Sequence, residues 1–260
     1  MDHIPRWFRG VRLNFAENCL YTGNGSTTGK EDDKVALTEV REGCTEIRNV
    51  TWGELRRKVG RLASAMRAHG VMKGDRVAVV ASNSVDTLSV FMAVTSLGGM
   101  FSSSSTDMGS KGVLDRLTQI RPKWLFMDDA YLYNGKQGDL RDKMAEIVRG
   151  MSGINEFRGV VTMPRWERPV DIESVPRTMG LEEYLSKATS DRLHFERVEF
   201  ATPFLIVYSS GVSGLAHNCF CSVTDVKLQT TGQPKVSRNS FSLHRDSISD
   251  ISTPTKVHCA

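Results

Sequence analysis

The sequence has few cysteines and no long apolar run. Five cysteines are spread over 260 residues, and so small and odd a number argues against a disulfide framework and favours a reducing compartment. No apolar run approaches the ~20 residues that cross a bilayer. The first ten residues are polar, with Arg6 and Arg9 where a signal peptide would need an apolar core. These absences predict a soluble cytoplasmic protein with no membrane partner.

The chain also lacks a large net charge of either sign. The 34 basic and 30 acidic residues leave a net charge of +4, and the basic residues are scattered along the chain. This pattern excludes a broad nucleic-acid surface and leaves only a local anion pocket. The hydrophobic fraction of 40% is ordinary for a globular chain, which is long enough for one large core or two small domains.

Strand-like and helix-like segments alternate between Val35 and Tyr208. Apolar, β-prone runs predict strands over 35–40, 76–81, 124–127, 159–163 and 204–208. Apolar residues at helical spacing predict helices over 84–97, 111–120, 139–149 and 181–187. A further helix should begin after Thr51, whose spacing to Glu54 is that of a capping box, and end at Gly70.

This order of elements predicts an α/β fold, with a mostly parallel layered sheet and helices on both faces. In such sheets ligands bind where loops leave the carboxyl ends of the strands. The loops after Ala81, Phe101 and Tyr208 are therefore the places where we expect a site.

The strongest local motif is Tyr208-Ser-Ser-Gly211, which directly follows a predicted buried strand. Small hydroxyl residues and glycine let backbone N–H groups approach a phosphate closely, although these four residues alone are more often a simple turn. Thr230-Thr-Gly-Gln-Pro-Lys235 stands downstream. Joined directly, the two stretches resemble the phosphate-binding loop of the adenylate-forming synthetases. The predicted phosphate-binding residues are Ser209, Ser210, Gly211, Thr230, Thr231, Gly232 and Lys235.

The upstream chain is similar to one branch of that family, the acetoacetyl-CoA synthetases. The matching segments are Trp7-Phe8, Leu13-Asn-Phe-Ala-Glu-Asn18, Lys73-Gly-Asp-Arg-Val77, Phe101-Ser-Ser-Ser-Ser105 with Asp107 and Gly109, Gly112-Val-Leu-Asp-Arg116 and Tyr133-Asn-Gly-Lys136. The resemblance covers about residues 7–211. It implies the N-terminal portion of a longer enzyme, because the family's adenine, ribose and catalytic-lysine motifs have no counterpart in residues 236–260.

The resemblance implies an AMP-forming acid–thiol ligase that uses ATP, Mg²⁺ and coenzyme A with acetoacetate or another short acyl acid. In it, the loop hydroxyls would donate to phosphate oxygens, Lys235 would supply a cation and Mg²⁺ would bridge the phosphates. Lys136 is a candidate for the 3′-phosphate of coenzyme A, although a solvated loop lysine is the simpler interpretation. No catalytic residue and no protein metal ligand is predicted in this chain, which we expect to be inactive alone.

Residues Val212 to Gln229 separate the two halves of the loop. We interpret them as translated intron, since Val212-Ser213 can be encoded across a splice donor and Gln229 can be an acceptor CAG. The alternative is a genuine loop insertion in a divergent protein. The predicted organisation is a leading segment 1–34, an incomplete nucleotide-handling domain 35–211 and an irregular, poorly ordered tail 212–260.

Two other functions stay open. A Rossmann-like module could bind a nucleotide or coenzyme A without catalysis. A dinucleotide-dependent dehydrogenase is disfavoured, because Ala81-Ser-Asn-Ser stands where a glycine-rich fingerprint would follow the strand.

Three apparent motifs are interpreted as structural. Gly23–Lys30 resembles a Walker phosphate-binding loop, but its residues do not have the spacing that this motif requires. Asp128-Asp129 is predicted to be a turn or a cap. The third motif is a set of histidines and cysteines whose spacing fits no ordinary zinc finger: His217, Cys219, Cys221, His244, His258 and Cys259.

Overall fold

A computed structural model describes residues 8–21, 32–44, 46–209, 217–221 and 255–257, with backbone only for 209, 217–221 and 255–257. The helices are α1 Phe15–Leu20, α2 Trp52–Ala68, α3 Val85–Ser96, α4 Ser110–Ile120, α5 Arg141–Gly150 and α6 Leu181–Leu185. The strands are β1 Arg12–Leu13, β2 Val35–Val40, β3 Ile47–Thr51, β4 Arg76–Val80, β5 Met100–Ser104, β6 Trp124–Asp128, β7 Ala130–Tyr133, β8 Lys136–Asp139, β9 Gly159–Met163, β10 Thr178–Gly180, β11 Val198–Glu199, β12 Leu205–Ser209, β13 His217–Cys221 and β14 Thr255–Val257. No helix in these ranges has the length and apolarity needed to cross a bilayer.

A seven-stranded sheet forms the centre of the fold, in the order β10-β9-β6-β4-β5-β12-β13. Neighbouring strands run parallel from β10 to β12, and β13 pairs antiparallel at the edge. Val80 at the end of β4 lies opposite Ser104 of β5 and Met127 of β6. The prediction of a mostly parallel sheet is therefore confirmed.

Successive residues of β4 point to opposite faces of the sheet, as the strand period of two requires. Val77 and Val79 join a core that includes buried residues of α2, α3 and α6. Ala78 and Val80 join a second core with α4 and α5. All four side chains are at most 2% exposed, as expected for a strand covered on both sides. The predicted helices on both faces are thus confirmed.

Helix α2 begins and ends as its sequence predicts. Thr51 accepts a hydrogen bond from the Glu54 N–H at 3.2 Å, and the Glu54 carboxylate accepts one from the Thr51 N–H at 2.8 Å. At the other end Gly70 has φ +81°, and the N–H groups of Gly70 and Val71 donate to Arg67 and Met66. These are the two bonds of a Schellman motif, which needs a left-handed residue at Gly70.

The helices that connect the central strands divide the sheet at β4. Helix α3 joins β4 to β5 across one face, whereas α4 carries the chain from β5 back over β4 to β6 across the other face. Strand β4 thus lies where the direction of the connections reverses, which is the position where α/β sheets generally bind ligands.

Several elements differ from their sequence prediction. Strand β5 is rich in serine and lacks β-branched residues, yet it lies between β4 and β12. The segment 130–139 forms a β7–β8 hairpin, so helix α5 begins at Arg141 rather than at Asp139. Residues 212–260 were predicted to be irregular, but β13 pairs with β12 and β14 pairs with β2. Pairing with an existing strand, rather than local periodicity, creates both.

Candidate functional site

The parallel strands bring Ser82, Ser104, Asp128 and Ser209 to the carboxyl edge of the sheet. The Asp128 carboxylate accepts hydrogen bonds from the Ser82 N–H and hydroxyl, both at 2.8 Å. Burial raises the pKa of Asp128 to about 6, although the bonds from Ser82 and the charge of Arg41 oppose that shift. This carboxylate ties the loop after β4 to the end of β6.

Arg116 of α4 lies over the ends of β5 and β12. Its guanidinium donates to the Ser104 hydroxyl at 3.2 Å and stands 4.5 Å from the centre of the Tyr208 ring. The Tyr208 hydroxyl in turn donates to the Arg116 carbonyl at 3.4 Å. Burial raises the pKa of Tyr208, and a hydrogen bond with Ser102 opposes the rise. The cluster holds the strand end from which the predicted phosphate loop leaves.

The loop after β5 is fastened to α5 by Lys143. The ammonium group donates to the carbonyls of Thr106 and Met108 at 2.5 and 2.7 Å. Burial lowers the pKa of Lys143, and the charges of Asp107 and Glu146 oppose that shift. Because a hydrogen-bonded cation closes this loop, its backbone keeps a defined position beside Ser104.

Lys136 lies at the start of β8, next to a two-residue turn. Asn134 and Gly135 both have positive φ, 50° and 71°, the combination that a type I′ hairpin turn requires. The Asn134 N–H donates to the Glu42 carboxylate at 2.7 Å, which ties the turn to the segment after β2. The Lys136 side chain is exposed and has no ion pair with any residue in the described ranges.

Asp129 has a structural role, but not the predicted one of a turn or helix cap, because Asp128 ends strand β6 and the Asp129 side chain binds a distant loop. Its carboxylate oxygens accept the backbone N–H groups of Arg165 and Val170, each at 2.8 Å. The charge is therefore used to fix the loop after β9. Across the described part of the chain, no group of three or more His, Cys, Asp or Glu residues could hold a metal ion.

The structure describes only part of the predicted site. Ser209 is the last residue of β12, and its backbone lies opposite His217 of β13. The other predicted phosphate-binding residues lie outside the described residues: Ser210, Gly211, Thr230, Thr231, Gly232 and Lys235. So do Gly23–Lys30, His244, His258 and Cys259.

The sequence analysis did not predict two features of the carboxyl edge of the sheet: the Ser82–Asp128 contact and the Ser104–Arg116–Tyr208 cluster. Arg116 was visible only as the end of the Gly112–Arg116 segment, whose spacing says nothing of a contact with Tyr208, 92 positions away. The dipeptide Asn134-Gly135, by contrast, is a strong hairpin signal that could have located Lys136 beside a tight turn.

Comparison of the sequence with known proteins finds a matching family profile and several relatives. The family profile described as AMP-binding enzyme matches residues 26–226. The chain is 40% identical to acetoacetyl-CoA synthetase of Rattus norvegicus over 215 residues, which are 81% of this chain and 31% of that protein. It is 35% identical to acetoacetyl-coenzyme A synthetase of Rhizobium meliloti over 212 residues, 81% of this chain and 30% of that protein.

A solved structure gives the same result. The acetoacetyl-CoA synthetase from Streptomyces lividans superposes with a TM-score of 0.73 at 35% identity, over 84% of this chain and 31% of that chain. The fold is thus that of the matching α/β part of that enzyme. The chain belongs to the AMP-binding enzyme family, and it resembles the acetoacetyl-CoA synthetases within it. It spans about 31% of the length of these relatives.

Proposed function

We propose that this chain is the nucleotide-binding portion of an AMP-forming acid–thiol ligase of the acetoacetate–CoA type. The reaction converts ATP, acetoacetate and coenzyme A to acetoacetyl-CoA, AMP and diphosphate. Residues 35–211 would form the nucleotide-handling domain, after a leading segment 1–34 and before the tail 212–260. Acetoacetate is proposed as the acyl substrate because the relatives are acetoacetyl-CoA synthetases. A cytoplasmic location is proposed because the composition is that of a soluble protein with few cysteines.

The observation that carries the proposal is the position of Ser209. It ends β12, which lies beside β5 in a parallel sheet, so the residues that follow leave from the edge where ligands bind. Tyr208 and Ser104 lie at this edge beneath an arginine. A loop of small hydroxyl residues and glycine at that position can direct backbone N–H groups at a phosphate.

The chemistry requires positioning and charge neutralisation rather than a protein nucleophile. ATP, when bound, would supply the α-phosphate that the acyl carboxylate attacks, with diphosphate as the leaving group. Ser209, Ser210, Thr230 and Thr231 would donate to phosphate oxygens, and Lys235 would add a cation. Gly211 and Gly232 would allow the close approach. Mg²⁺, when bound with ATP, would help to neutralise the charge of the phosphates.

The separated loop leads to a further proposal about activity. Residues Val212 to Gln229 stand between the two halves of the motif, and misplacing a catalytic group by about 1 Å can cost ~10²-fold in rate. We therefore propose that the chain as written does not complete adenylation. Sequencing of transcripts across this segment tests whether it is retained intron or a true insertion.

A chimaera tests the function directly. Residues 8–211 joined to 230–235 replace the corresponding part of the Streptomyces lividans enzyme, and a matched chimaera keeps Val212–Gln229. Diphosphate release with ATP and acetoacetate is measured for both, with the unchanged enzyme as the reference. We expect release from the joined chimaera and at least ~10²-fold less from the matched one. Equal inactivity of two folded chimaeras would contradict the proposed function.

A non-catalytic nucleotide- or CoA-binding module is the second candidate, in which exposed Lys136 would contact coenzyme A without any adenylation. A free ammonium beside a tight turn can meet a phosphate as a point charge. Calorimetry with coenzyme A and with dephospho-coenzyme A tests this role. A preference for coenzyme A that Lys136→Gln removes, together with no diphosphate release from the joined chimaera, would support the module, whereas no binding of either compound would exclude it. Arg149→Gln, at the last turn of α5, is the matched control.

A further inference from the structure

The β7–β8 hairpin is held to the rest of the fold through the backbone of its turn. Within the described ranges, β7 and β8 pair with each other and not with the central sheet, and residues 131–139 are exposed or half-buried. A two-stranded hairpin on its own is only marginally stable in water. The Asn134 N–H donates to the Glu42 carboxylate at 2.7 Å. This hydrogen bond therefore limits how far the turn can move relative to the sheet.

The segment that carries Glu42 is fastened to the core on its N-terminal side. Arg41 forms an ion pair with Glu39 at 3.2 Å, and their side chains are only 17% and 8% exposed. The Glu39 carboxylate also accepts the Val85 N–H, at the start of α3, at 3.1 Å. Because water is largely excluded from these contacts, they hold the backbone next to Glu42 more firmly than a surface ion pair would.

The same segment is fastened on its C-terminal side by Glu46. Both oxygens of the Glu46 carboxylate accept hydrogen bonds from the Arg165 guanidinium at 3.0 Å. The Arg165 side chain is 7% exposed and lies 4.1 Å from the centre of the Trp166 ring. A two-pronged contact with a stacked guanidinium fixes direction as well as distance. Glu42 thus stands on a support that is held at both ends.

The turn that Glu42 holds sets the direction of Lys136. Tyr133 and Lys136 pair across the turn, and Asn134 and Gly135 between them have the left-handed φ values of a type I′ turn. Because this turn is tight, an anchored Asn134 N–H also fixes the backbone from which the Lys136 side chain leaves. The Glu42 and Lys136 side chains form no ion pair with each other, so the carboxylate holds the turn without neutralising the ammonium group.

We propose that Glu42 is a positioning residue for coenzyme A, which holds the β7–β8 turn so that Lys136 meets the 3′-phosphate. This inference rests on the proposed use of coenzyme A and deepens it by assigning a residue outside the hairpin. Its basis is the hydrogen bond from Asn134 to Glu42 and the two fastened ends of the Glu42 segment. A carboxylate that acted through its charge alone would repel the phosphate, so the two roles predict opposite effects on binding.

The test measures binding of coenzyme A and of dephospho-coenzyme A to the full 260-residue chain by calorimetry. Glu42→Ala should lower the preference for coenzyme A by about 3- to 10-fold, whereas Glu42→Gln, which keeps an acceptor for the Asn134 N–H, should lower it by less than about 2-fold. The control is Glu156→Ala, at an exposed position after α5, which should leave the preference unchanged. An unchanged or increased preference in Glu42→Ala overturns the proposal.

A double variant tests whether Glu42 acts through Lys136. In Lys136→Gln, the added change Glu42→Ala should weaken coenzyme A binding by less than about 2-fold, because the group that Glu42 positions is already gone. A full further loss in the double variant would mean that Glu42 acts elsewhere, and it overturns the proposal. An equal loss of affinity for both compounds in Glu42→Ala alone would show a role in stability only, which overturns it as well.

A second measurement needs no variant and holds if Glu42→Ala does not fold. Amide hydrogen exchange, followed by NMR in the wild-type chain, should be at least about 10-fold slower at Asn134 than at Gly135 after correction for their intrinsic rates. Coenzyme A, but not dephospho-coenzyme A, should slow exchange at Asn134 further. Equal exchange at the two amides, or no response to coenzyme A, overturns the proposal.

Failure of this inference is distinguishable from failure of the proposed ligase function. If the wild-type chain binds neither coenzyme A nor dephospho-coenzyme A, the role of Glu42 and the binding module are both overturned. The ligase function is judged separately, by diphosphate release from the joined chimaera, which requires ATP and acetoacetate but no coenzyme A.

Discussion

Gly60 of α2 is predicted to tolerate no side chain. The helix passes under the segment 189–196, and a Cβ on Gly60 would stand 2.5 Å from the Asp191 carbonyl carbon and closer still to its oxygen. Distances below 3.0 Å to backbone require the backbone to move. Gly60→Ala should therefore push the segment away from the helix rather than displace a flexible side chain.

The segment is held to α2 by hydrogen bonds that this movement would stretch. The Ser64 hydroxyl accepts from the N–H groups of Thr189 and Ser190 at 3.0 and 3.3 Å, and Arg67 donates to the His194 carbonyl at 2.9 Å. Each bond contributes about 1 kcal/mol, and overpacking alone costs roughly 1 to 3 kcal/mol. The gain in helix propensity, about 1 kcal/mol, offsets only part of this loss.

The net expectation is a loss of about 2 to 4 kcal/mol in the free energy of unfolding, or roughly 5 to 12 °C in Tm for a domain of this size. Circular dichroism during heating and urea titration measures it. Gly153→Ala is the control, because a Cβ there meets nothing within 4 Å, and it should change stability by less than about 1 kcal/mol. A Gly60→Ala protein that melts at or above the wild-type temperature would refute this account of the contact.

Three further predictions concern buried polar contacts and a helix cap. Asn14→Asp should lower the free energy of unfolding by on the order of 3 to 5 kcal/mol, measured by urea titration. The Asn14 amide donates to the carbonyls of Thr95, Ser96 and Glu196, and a carboxylate cannot donate to them. The control is Asn18→Asp, at an exposed position. Thr51→Ala should lose about 1 kcal/mol through the capping box, measured by the shift in urea midpoint, and Thr51→Ser should restore most of it.

The third prediction of this group concerns pH. The folded pKa of Asp128, about 6, lies above its ordinary 3.8, so between these values the folded state binds more protons than the unfolded state. Stability from this group therefore falls as pH rises from about 4 to about 6, by on the order of 3 kcal/mol at ~1.4 kcal/mol per pKa unit. Urea titrations from pH 4 to pH 7 measure the free energy of unfolding of the wild type and of Asp128→Asn, and the variant should not show this decrease. If the free energy of unfolding changes equally with pH in both proteins, Asp128 is not the cause of the pH dependence.

The elements best predicted from sequence are those with a strong local pattern. The capping box at Thr51, the left-handed Gly70 and the β-branched run of β4 each have a physical signature within a few residues. Strand β5 has none, because its serines suit a loop as well as a strand, and its place depends on the hydrogen bonds of β4 and β12 on either side.

The sequence by itself determined the α/β class and the layering of helices on both faces, because the periodicity of each element and the order of elements along the chain can be read locally. Only the tertiary structure brought Arg116 to Ser104 and Tyr208 and bound Asp128 to Ser82. These contacts join residues that are 12, 46 and 92 positions apart in the chain. They exist because parallel strands place their carboxyl ends side by side, a spatial relation that no local pattern of residues encodes.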